Sequence, residues 1–233
     1  MRIEVWSDFT CPSCYIGKKT LEAALDIFGK DKHVYVEYKS FQLDSEVKQS
    51  SPDKLLDILQ RRDQLSLAKT EEMKREIEEQ ASSFGLAIDV NSLLYTDTNH
   101  AHRLVKLAEK ENKAYDIIER LFHAYLVQRR NIGEKSVLLS VAKDVGLDEE
   151  EVTSLLSFNK YARAVADDQD VAQEMGIEAV PFFIFHDRYA ISGSQPISVF
   201  LNVLQEIWEE DATCYERRDV IKGDYCIGND CEE

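Results

Sequence analysis

Strand-like sequence lies only towards the two ends of this 233-residue chain, and this placement constrains the fold more than any other feature. Residues 2–7 and 33–41 are rich in β-branched and aromatic residues, and the pattern returns at 179–192. Almost everything from 51 to 174 has the apolar spacing of amphipathic helices. Distant strands can share one sheet if the helices between them form an inserted subdomain. The sequence therefore predicts an α/β fold with a large all-helical insertion.

The first helix is delimited at both ends. It is predicted over Pro12–Phe28, because proline is favoured in the first helical turn and Gly29 provides a stop. With the flanking strands it gives a β-α-β opening. The chain is expected to close with a hairpin over 179–192, turning at 186–188, and a helix over about 197–208.

The central block is predicted to be a series of helices with one apolar face each. The domain boundaries follow from it: 1–50 and 176–210 for the sheet domain, 51–175 for the insertion and 211–233 for a cysteine-containing tail. One helix is expected to begin near Pro52, and the others to span Leu67–Phe84, Thr98–Glu111, Ala114–Arg129, Lys135–Val145, Asp148–Leu156 and Phe158–Met175.

Charge and hydropathy exclude several classes of function. A formal net charge of −16 argues against nucleic-acid binding and against anionic membrane surfaces, because phosphate binding requires a basic patch. No apolar run approaches the ~20 residues that a membrane-spanning helix needs. Met1-Arg2 leads into the first strand without the apolar segment of a secretory signal, so a cytoplasmic protein is expected.

Two cysteines stand where the first strand gives way to the first helix. With Pro12 as the first helical residue, Cys11 takes the N-cap position, where unpaired N–H groups and the helix dipole favour a thiolate. The spacing also brings Cys11 and Cys14 near the ~5.5 Å between Cα atoms that a disulfide requires. Cys11 can then attack a substrate disulfide and Cys14 can resolve the mixed disulfide. A structural disulfide is disfavoured in a reducing cytoplasm.

Zinc binding is the rival interpretation of these thiols. Cys226 and Cys231 form a second pair, and four cysteine ligands would complete a structural zinc site. The helix that follows Cys14 argues against it, since zinc knuckles are usually glycine-turned hairpins. Cys214 is left over, and the sequence does not choose its partner.

Pro181 lies in a run that otherwise predicts a strand. Proline cannot complete a strand ladder and is normally confined to edges, so one interpretation is the start of an edge strand. The other is a cis-proline turn that faces the cysteines, where the backbone of Val180 can pair with an extended substrate. The local sequence leaves both open.

Four segments together resemble FrnE-type members of the DsbA branch of the thioredoxin superfamily. They are SDFTCPSCYIGKK at 7–19, TNHAHRLVKLAEK at 98–110, AVPFFIF at 179–185 and YAISGSQP at 189–196, and the resemblance extends over about 3–208. It implies a thioredoxin fold with a DsbA-like helical insertion and a thiol-disulfide oxidoreductase that needs no cofactor or metal.

The resemblance also implies roles for individual residues. Cys11 would be the attacking cysteine, Cys14 the resolving one and Pro181 the cis-proline beside them. Some FrnE-type proteins have a C-terminal CX4C, which Cys226 and Cys231 resemble, and that second redox pair would exchange electrons with the first. Substrate contacts are expected from Val180, Pro12, Ser13 and His100.

The chain departs from the family pattern at two positions. Ser13 stands where the family often has Trp, so the redox potential, which ranges from about −270 to about −120 mV in related folds, does not carry over. Thioredoxins place a buried acid six residues before the first cysteine, and here that residue is Val5. The sequence therefore identifies no proton-relay carboxylate, and Glu37 is the remaining candidate.

Three hypotheses of function follow. The leading one is exchange with disulfide-containing proteins or small thiols, served by a reducing or oxidising partner system. Sister folds suggest a glutathione-dependent isomerase or transferase of the kappa type, but those enzymes usually use a serine and the intact CPSC argues against them. A zinc-binding, chaperone-like protein is the third.

Overall fold

The computed structural model describes residues 1–29, 34–45, 53–62 and 64–211. Within them the strands form a four-stranded mixed sheet in the order β2-β1-β3-β4. β1 and β2 are parallel, and β3 is antiparallel to both of its neighbours. Strands from the two ends of the chain therefore share one sheet, as predicted. The strands are β1 (Arg2–Ser7), β2 (Tyr35–Ser40), β3 (Phe182–Phe185) and β4 (Tyr189–Ser192).

Helices α2 to α8 lie between β2 and β3 in the chain, which confirms the α/β class with a helical insertion. A 3-10 turn (Val90–Ser92) and a π-helical turn (His123–Val127) lie among them. No helix of the described residues is long and apolar enough to cross a bilayer. The helices are α1 (Pro12–Phe28), α2 (Leu55–Arg62), α3 (Leu67–Ser83), α4 (Asn99–Lys110), α5 (Ala114–Phe122), α6 (Lys135–Asp144), α7 (Glu149–Ser157), α8 (Ala162–Glu174) and α9 (197–211).

Some predictions lie outside the described residues. They include the helix start near Pro52 and nearly all of the tail, from 212 to 233, with Cys214, Cys226 and Cys231. The exact domain boundaries at 50, 175 and 210 also stay predictions.

Two apolar cores meet at the first helix. The sheet core packs one face of the strands against α1 and α9, with Val5, Phe183 and Phe200 all buried. The insertion core is built by the helices between β2 and β3, and Phe9, Tyr15 and Ile16 of the first βα segment project into it. Burying each such side chain contributes roughly 1.5–3 kcal/mol. The segment that bears the cysteines is thus fixed by both cores.

The helix predicted over Ala114–Arg129 is wrong at its C-terminal end. The α-helix ends at Phe122, a π-helical turn follows, and Arg129 has a positive φ of 59°. In the π-helical turn the backbone N–H of Gln128 donates to the carbonyl of His123 at 2.9 Å. Residues 124–126 of this turn are buried in the insertion core.

The helix predicted over Phe158–Met175 begins too early. Phe158 is extended, Tyr161 has a positive φ of 63°, and the helix starts at Ala162. The buried guanidinium of Arg103 explains the break, because it donates to carbonyl groups that a continuous helix would use itself. Those carbonyls belong to Leu155, Phe158 and Lys160, the last at 2.7 Å.

Gly17 marks the closest approach of α1 to the sheet. A Cβ at this position would lie 3.0 Å from Cζ of Phe183 and 3.1 Å from Cγ of Pro181. Alanine is favoured over glycine in helices by about 1 kcal/mol, but overpacking costs about 1–3 kcal/mol. We expect Gly17→Ala to lower the free energy of unfolding by about 1 kcal/mol, measured by urea denaturation. Ser82→Ala, on an exposed helical position, is the control, and stabilisation by Gly17→Ala would contradict the tight contact.

Candidate active site

The two cysteines occupy different environments at the start of α1. Cys11 is the extended N-cap residue, followed by Pro12, and its N–H donates to the carbonyl of Asp8 at 3.1 Å. Cys11 is partly exposed, whereas Cys14 is 2% exposed. The pKa of the Cys14 thiol is raised well above its ordinary value, first by burial and then by the neighbouring Cys11. One thiol is therefore accessible and the other is held behind it.

The Val180–Pro181 turn faces Cys11. Its peptide bond is cis, and the Cys11 thiol donates to the carbonyl oxygen of Val180 at 3.5 Å. Pro181 directly precedes β3, which is an interior strand, so the edge-strand interpretation is wrong. The carbonyl of Pro181 accepts from the N–H of Gly193, which ties the turn to the end of β4.

A groove of about 500 Å³ opens at Cys11. Its lining mixes apolar and polar groups and comes from the cysteine segment, the residues after β2, helices α2 and α3, and the residues before Pro181. The lining residues are 10–13, 41–43, 178–180, Leu59, Met73 and Ile77. The groove thus includes four of the residues predicted from the sequence, namely Cys11, Pro12, Ser13 and Val180.

His100 was expected to line this cleft but is not among the residues that form it. It lies half-buried near the start of α4, and burial is the largest of the effects that lower its pKa. The histidine that reaches the cysteine segment is His102, which is 4% exposed and stacks at a tilt on Phe9 with 4.9 Å between ring centroids.

A buried carboxylate that the sequence interpretation missed lies three residues before Cys11. Asp8 is 2% exposed and accepts from the N–H of Leu43 at 2.9 Å and the hydroxyl of Thr10 at 3.3 Å. Its Oδ1 lies 3.4 Å from Nε2 of His102. Burial raises the pKa of Asp8, but the hydrogen bonds, led by that of His102, outweigh it and leave the pKa below its ordinary value.

Two signals pointed to Asp8 and His102. Asp8 follows a buried strand and immediately precedes the cysteine segment, and His102 lies in the TNHAHRL motif. Their contact joins residues 94 apart, so only the fold reveals it. Glu37, the candidate named from the sequence, is instead bound by Arg2 at 2.8 Å and by Lys39.

Helix α1 is also anchored to α5 of the insertion by buried charge. The side chain of Lys18 is 0% exposed and its Nζ contacts carboxylates of Glu22 and Glu119, the latter at 2.5 Å. Glu119 also accepts from Lys19 and from the hydroxyl of Tyr15, each at 2.7 Å. Burial raises the pKa of Glu119, but the hydrogen bonds from Lys18 and Lys19 lower it to about 2.

Metal binding finds no support among the described residues, where no group of three His, Cys, Asp or Glu side chains is arranged to hold an ion. The four-thiolate zinc site and the second redox pair both involve Cys226 and Cys231, which lie outside the described residues. Those interpretations stay untested.

An N-capping cysteine, a buried second cysteine, a facing cis-proline and a helical insertion define the class of DsbA-like thioredoxin folds. Residues 2–205 match the DSBA-like thioredoxin domain, and the chain belongs to that family. It is 30% identical over 217 residues to the uncharacterized protein YwbO of Bacillus subtilis, covering 88% of this chain and 96% of YwbO. The structure of a probable DsbA oxidoreductase, SCO1869 from Streptomyces coelicolor, superimposes with a TM-score of 0.84 at 31% identity, covering 90% and 91% of the two chains.

Two more distant structures share the fold alone. A 2-hydroxychromene-2-carboxylate isomerase aligns with a TM-score of 0.67 and 15% identity over 92% of this chain and 99% of its own. The cytosolic disulfide reductase DsbM from Pseudomonas aeruginosa, in a structure with GSH, aligns with a TM-score of 0.61 and 18% identity over 90% of this chain and 100% of its own.

Proposed function

We propose that this protein is a thiol-disulfide oxidoreductase that works through Cys11 and Cys14. The observation that supports it best is the arrangement of the two thiols. Cys11 is accessible on the wall of a groove and hydrogen-bonded to Val180, while Cys14 is buried one helical turn behind it. An attacking thiol needs access, and a resolving thiol needs only to reach the first.

The reaction has two exchange steps. The Cys11 thiolate attacks one sulfur of a substrate disulfide, forms a mixed disulfide and displaces the other sulfur as a thiolate. Cys14 loses its proton and attacks Cys11, which forms the Cys11–Cys14 disulfide and releases the second substrate thiolate. Two electrons pass from the protein dithiol to the substrate, and the released thiolates take protons from solvent. Oxidation of a dithiol substrate is the same path in reverse.

The groove suggests how a substrate is held. The carbonyl of Val180 lies beside Cys11, where a backbone N–H of an extended peptide can replace the thiol as hydrogen-bond donor. Leu59, Met73 and Ile77 offer apolar contact next to the reacting sulfur. Disulfide-containing proteins or peptides and small thiols such as glutathione are the proposed substrates. A reducing partner system would restore the dithiol after a disulfide substrate is reduced, and an oxidising one would restore the Cys11–Cys14 disulfide after a dithiol substrate is oxidised.

We extend the proposal to the FrnE-like subtype and to a cytoplasmic location. The subtype rests on the four sequence segments and on the order of elements. The location is supported by the acidic sequence and by the likeness in fold to the cytosolic disulfide reductase DsbM. The likeness to the isomerase is one of fold, and no observation at the cysteines favours its chemistry.

A redox titration tests the function. The purified protein is equilibrated in glutathione buffers of graded potential, alkylated and weighed by mass spectrometry. We expect Cys11 and Cys14 to titrate together as a two-electron couple between about −270 and about −120 mV, with the value near one limit indicating a reductase and near the other an oxidase. Turnover of insulin disulfides is measured in parallel. If Cys11 and Cys14 did not titrate as a two-electron couple, the proposed function would be contradicted.

A further inference from the structure

The exchange steps do not identify the group that accepts the proton of Cys14. Cys14 must lose a proton to attack Cys11, yet burial and the neighbouring thiol both oppose its thiolate. The position at which thioredoxins keep a buried acid holds Val5. The proton acceptor for the resolving thiol must therefore come from elsewhere in this fold.

Ser7 is the polar side chain at the end of β1 that faces the resolving thiol. It is 6% exposed, and its hydroxyl favours the thiolate form of Cys14. Within the part of the chain that the structure describes, Oγ of Ser7 makes no full hydrogen bond. A buried hydroxyl without a partner costs about 1–3 kcal/mol, so this position favours a hydrogen-bonding partner such as water.

The same hydroxyl lines a small cavity between the sheet and the insertion. Its volume of about 10 Å³ is room for about one water molecule. Ser40, which pairs with Ser7 in register, and His102 from α4 also line it. A water there would have the two to four polar neighbours that hold buried waters in place.

His102 is the imidazole side chain that lines this cavity. Its Nε2 lies 3.4 Å from the carboxylate of Asp8, so a protonated ring would form a buried ion pair. Asp8 is itself fixed by Thr10 and Leu43. The charged and titratable groups around Ser7, Cys14 and the cavity are Asp8, Cys11, Tyr38, Lys39 and His102, while α5 contributes only apolar lining.

We propose that Ser7, one water in this cavity and His102 form the path by which the Cys14 proton leaves during resolution. Ser7 accepts the thiol proton and passes its own to the water, and the water protonates His102. The Cys14 thiolate then attacks Cys11, the Cys11–substrate sulfur bond breaks, and the substrate leaves as a thiolate. His102 acts as the proton acceptor, and Asp8 positions its ring and balances its charge. This inference rests on the proposed oxidoreductase function.

Single-turnover kinetics measure the attack by Cys11 and the resolution by Cys14 separately, and the relay should affect only resolution. The reduced protein is mixed with excess glutathione disulfide, quenched in acid and weighed, so that attack and resolution appear as formation and decay of the mixed disulfide. We expect Ser7→Ala and His102→Gln to leave attack unchanged and to slow resolution about tenfold or more at neutral pH. The difference in resolution rate between these variants and the unmodified protein should narrow as pH rises, because hydroxide can then deprotonate Cys14 directly. Ser7→Thr should restore the rate.

The controls distinguish the possible failures. Thr70→Val removes a buried hydroxyl that donates to Ser66, away from the cysteines, and should leave both phases unchanged. A mixed disulfide that decays equally fast in Ser7→Ala and the unmodified protein would overturn the relay alone. If Ser7→Ala slowed resolution by the same factor at every pH, the relay would also be overturned, because a packing defect would slow the reaction independently of pH. Absence of the attack phase in the unmodified protein would overturn the oxidoreductase function itself.

Discussion

Replacing Cys11 with Ser should reduce disulfide exchange about 10³-fold or more, the largest effect expected of any single change in this chain. A hydroxyl at neutral pH supplies almost no anion and is a far weaker nucleophile than a thiolate. Cys11 is also the accessible member of the pair, so Cys14, 2% exposed, cannot replace it as the attacking thiol. Insulin reduction and the single-turnover attack phase both measure the loss.

Cys14→Ser should separate attack from resolution. Cys11 can still form a mixed disulfide, which then accumulates as a stable adduct visible by mass spectrometry. Ser13→Ala is the matched control, because it changes one of the two residues between the cysteines and keeps both thiols. Exchange at an undiminished rate in Cys11→Ser, or an adduct on another cysteine, would contradict the assigned order of attack.

Glu119→Gln should lower the free energy of unfolding by about 2–3 kcal/mol at pH 7. Removing one partner of a fully buried ion pair costs about 3–5 kcal/mol. The smaller figure applies here because Lys18 keeps its contact with Glu22 and the side chain of Glu119 is 29% exposed. Urea denaturation measures the loss. Glu79→Gln, an exposed position on α3, is the control and should change stability by less than about 0.5 kcal/mol.

The loss of stability caused by Glu119→Gln should depend on pH, and the depressed pKa of Glu119 fixes the direction of that dependence. The pKa of Glu119 falls from an ordinary 4.5 to about 2 in the folded protein. A carboxyl with a depressed pKa stabilises the fold above its unfolded pKa, and that contribution disappears as pH falls towards the folded value. The stability difference between the unmodified protein and Glu119→Gln should therefore be constant above about pH 5 and shrink between pH 4.5 and 2. A difference that is independent of pH would contradict the ion pair.

A double-mutant cycle with Lys18→Met isolates the pair. If the charges act through each other, the double variant should be more stable than the sum of the two single losses predicts. Additive losses would mean that packing, rather than charge, joins α1 to the insertion.

Helix ends that are set by neighbouring residues were predictable from the sequence, and helix ends that are set by distant packing were not. The boundaries of α1 were predicted to the residue, because Pro12 and Gly29 act on their own backbone. The helices over 114–129 and 158–175 were predicted too long, because a π-helical turn and the carbonyl contacts of Arg103 depend on distant packing. Apolar spacing does not report either of them.

The residues of the candidate site also fall into those that local sequence signals predicted and those that only packing places. Cys11, Pro12, Ser13 and Val180 were predicted from sequence and do line the groove, since their spacing and the proline turn are local signals. His100 was expected in the groove and is not there, whereas His102 contacts the cysteine segment. Positions two apart on one helix present different faces, and packing of the insertion decides which face meets that segment.

The sequence by itself determined the class of fold, the helix that bears the thiols and the chemistry that a CPSC segment can perform, because these follow from propensity, capping and residue type within a few neighbouring positions. Only the tertiary structure decided which thiol is buried and which groups surround it. Ser7, Asp8 and His102 come from a strand, a loop and a helix of the insertion respectively, and packing of the insertion against the sheet brings them together. Burial and proximity across 94 residues depend on the whole fold, and the contact with His102 is the largest of the effects that lower the pKa of Asp8.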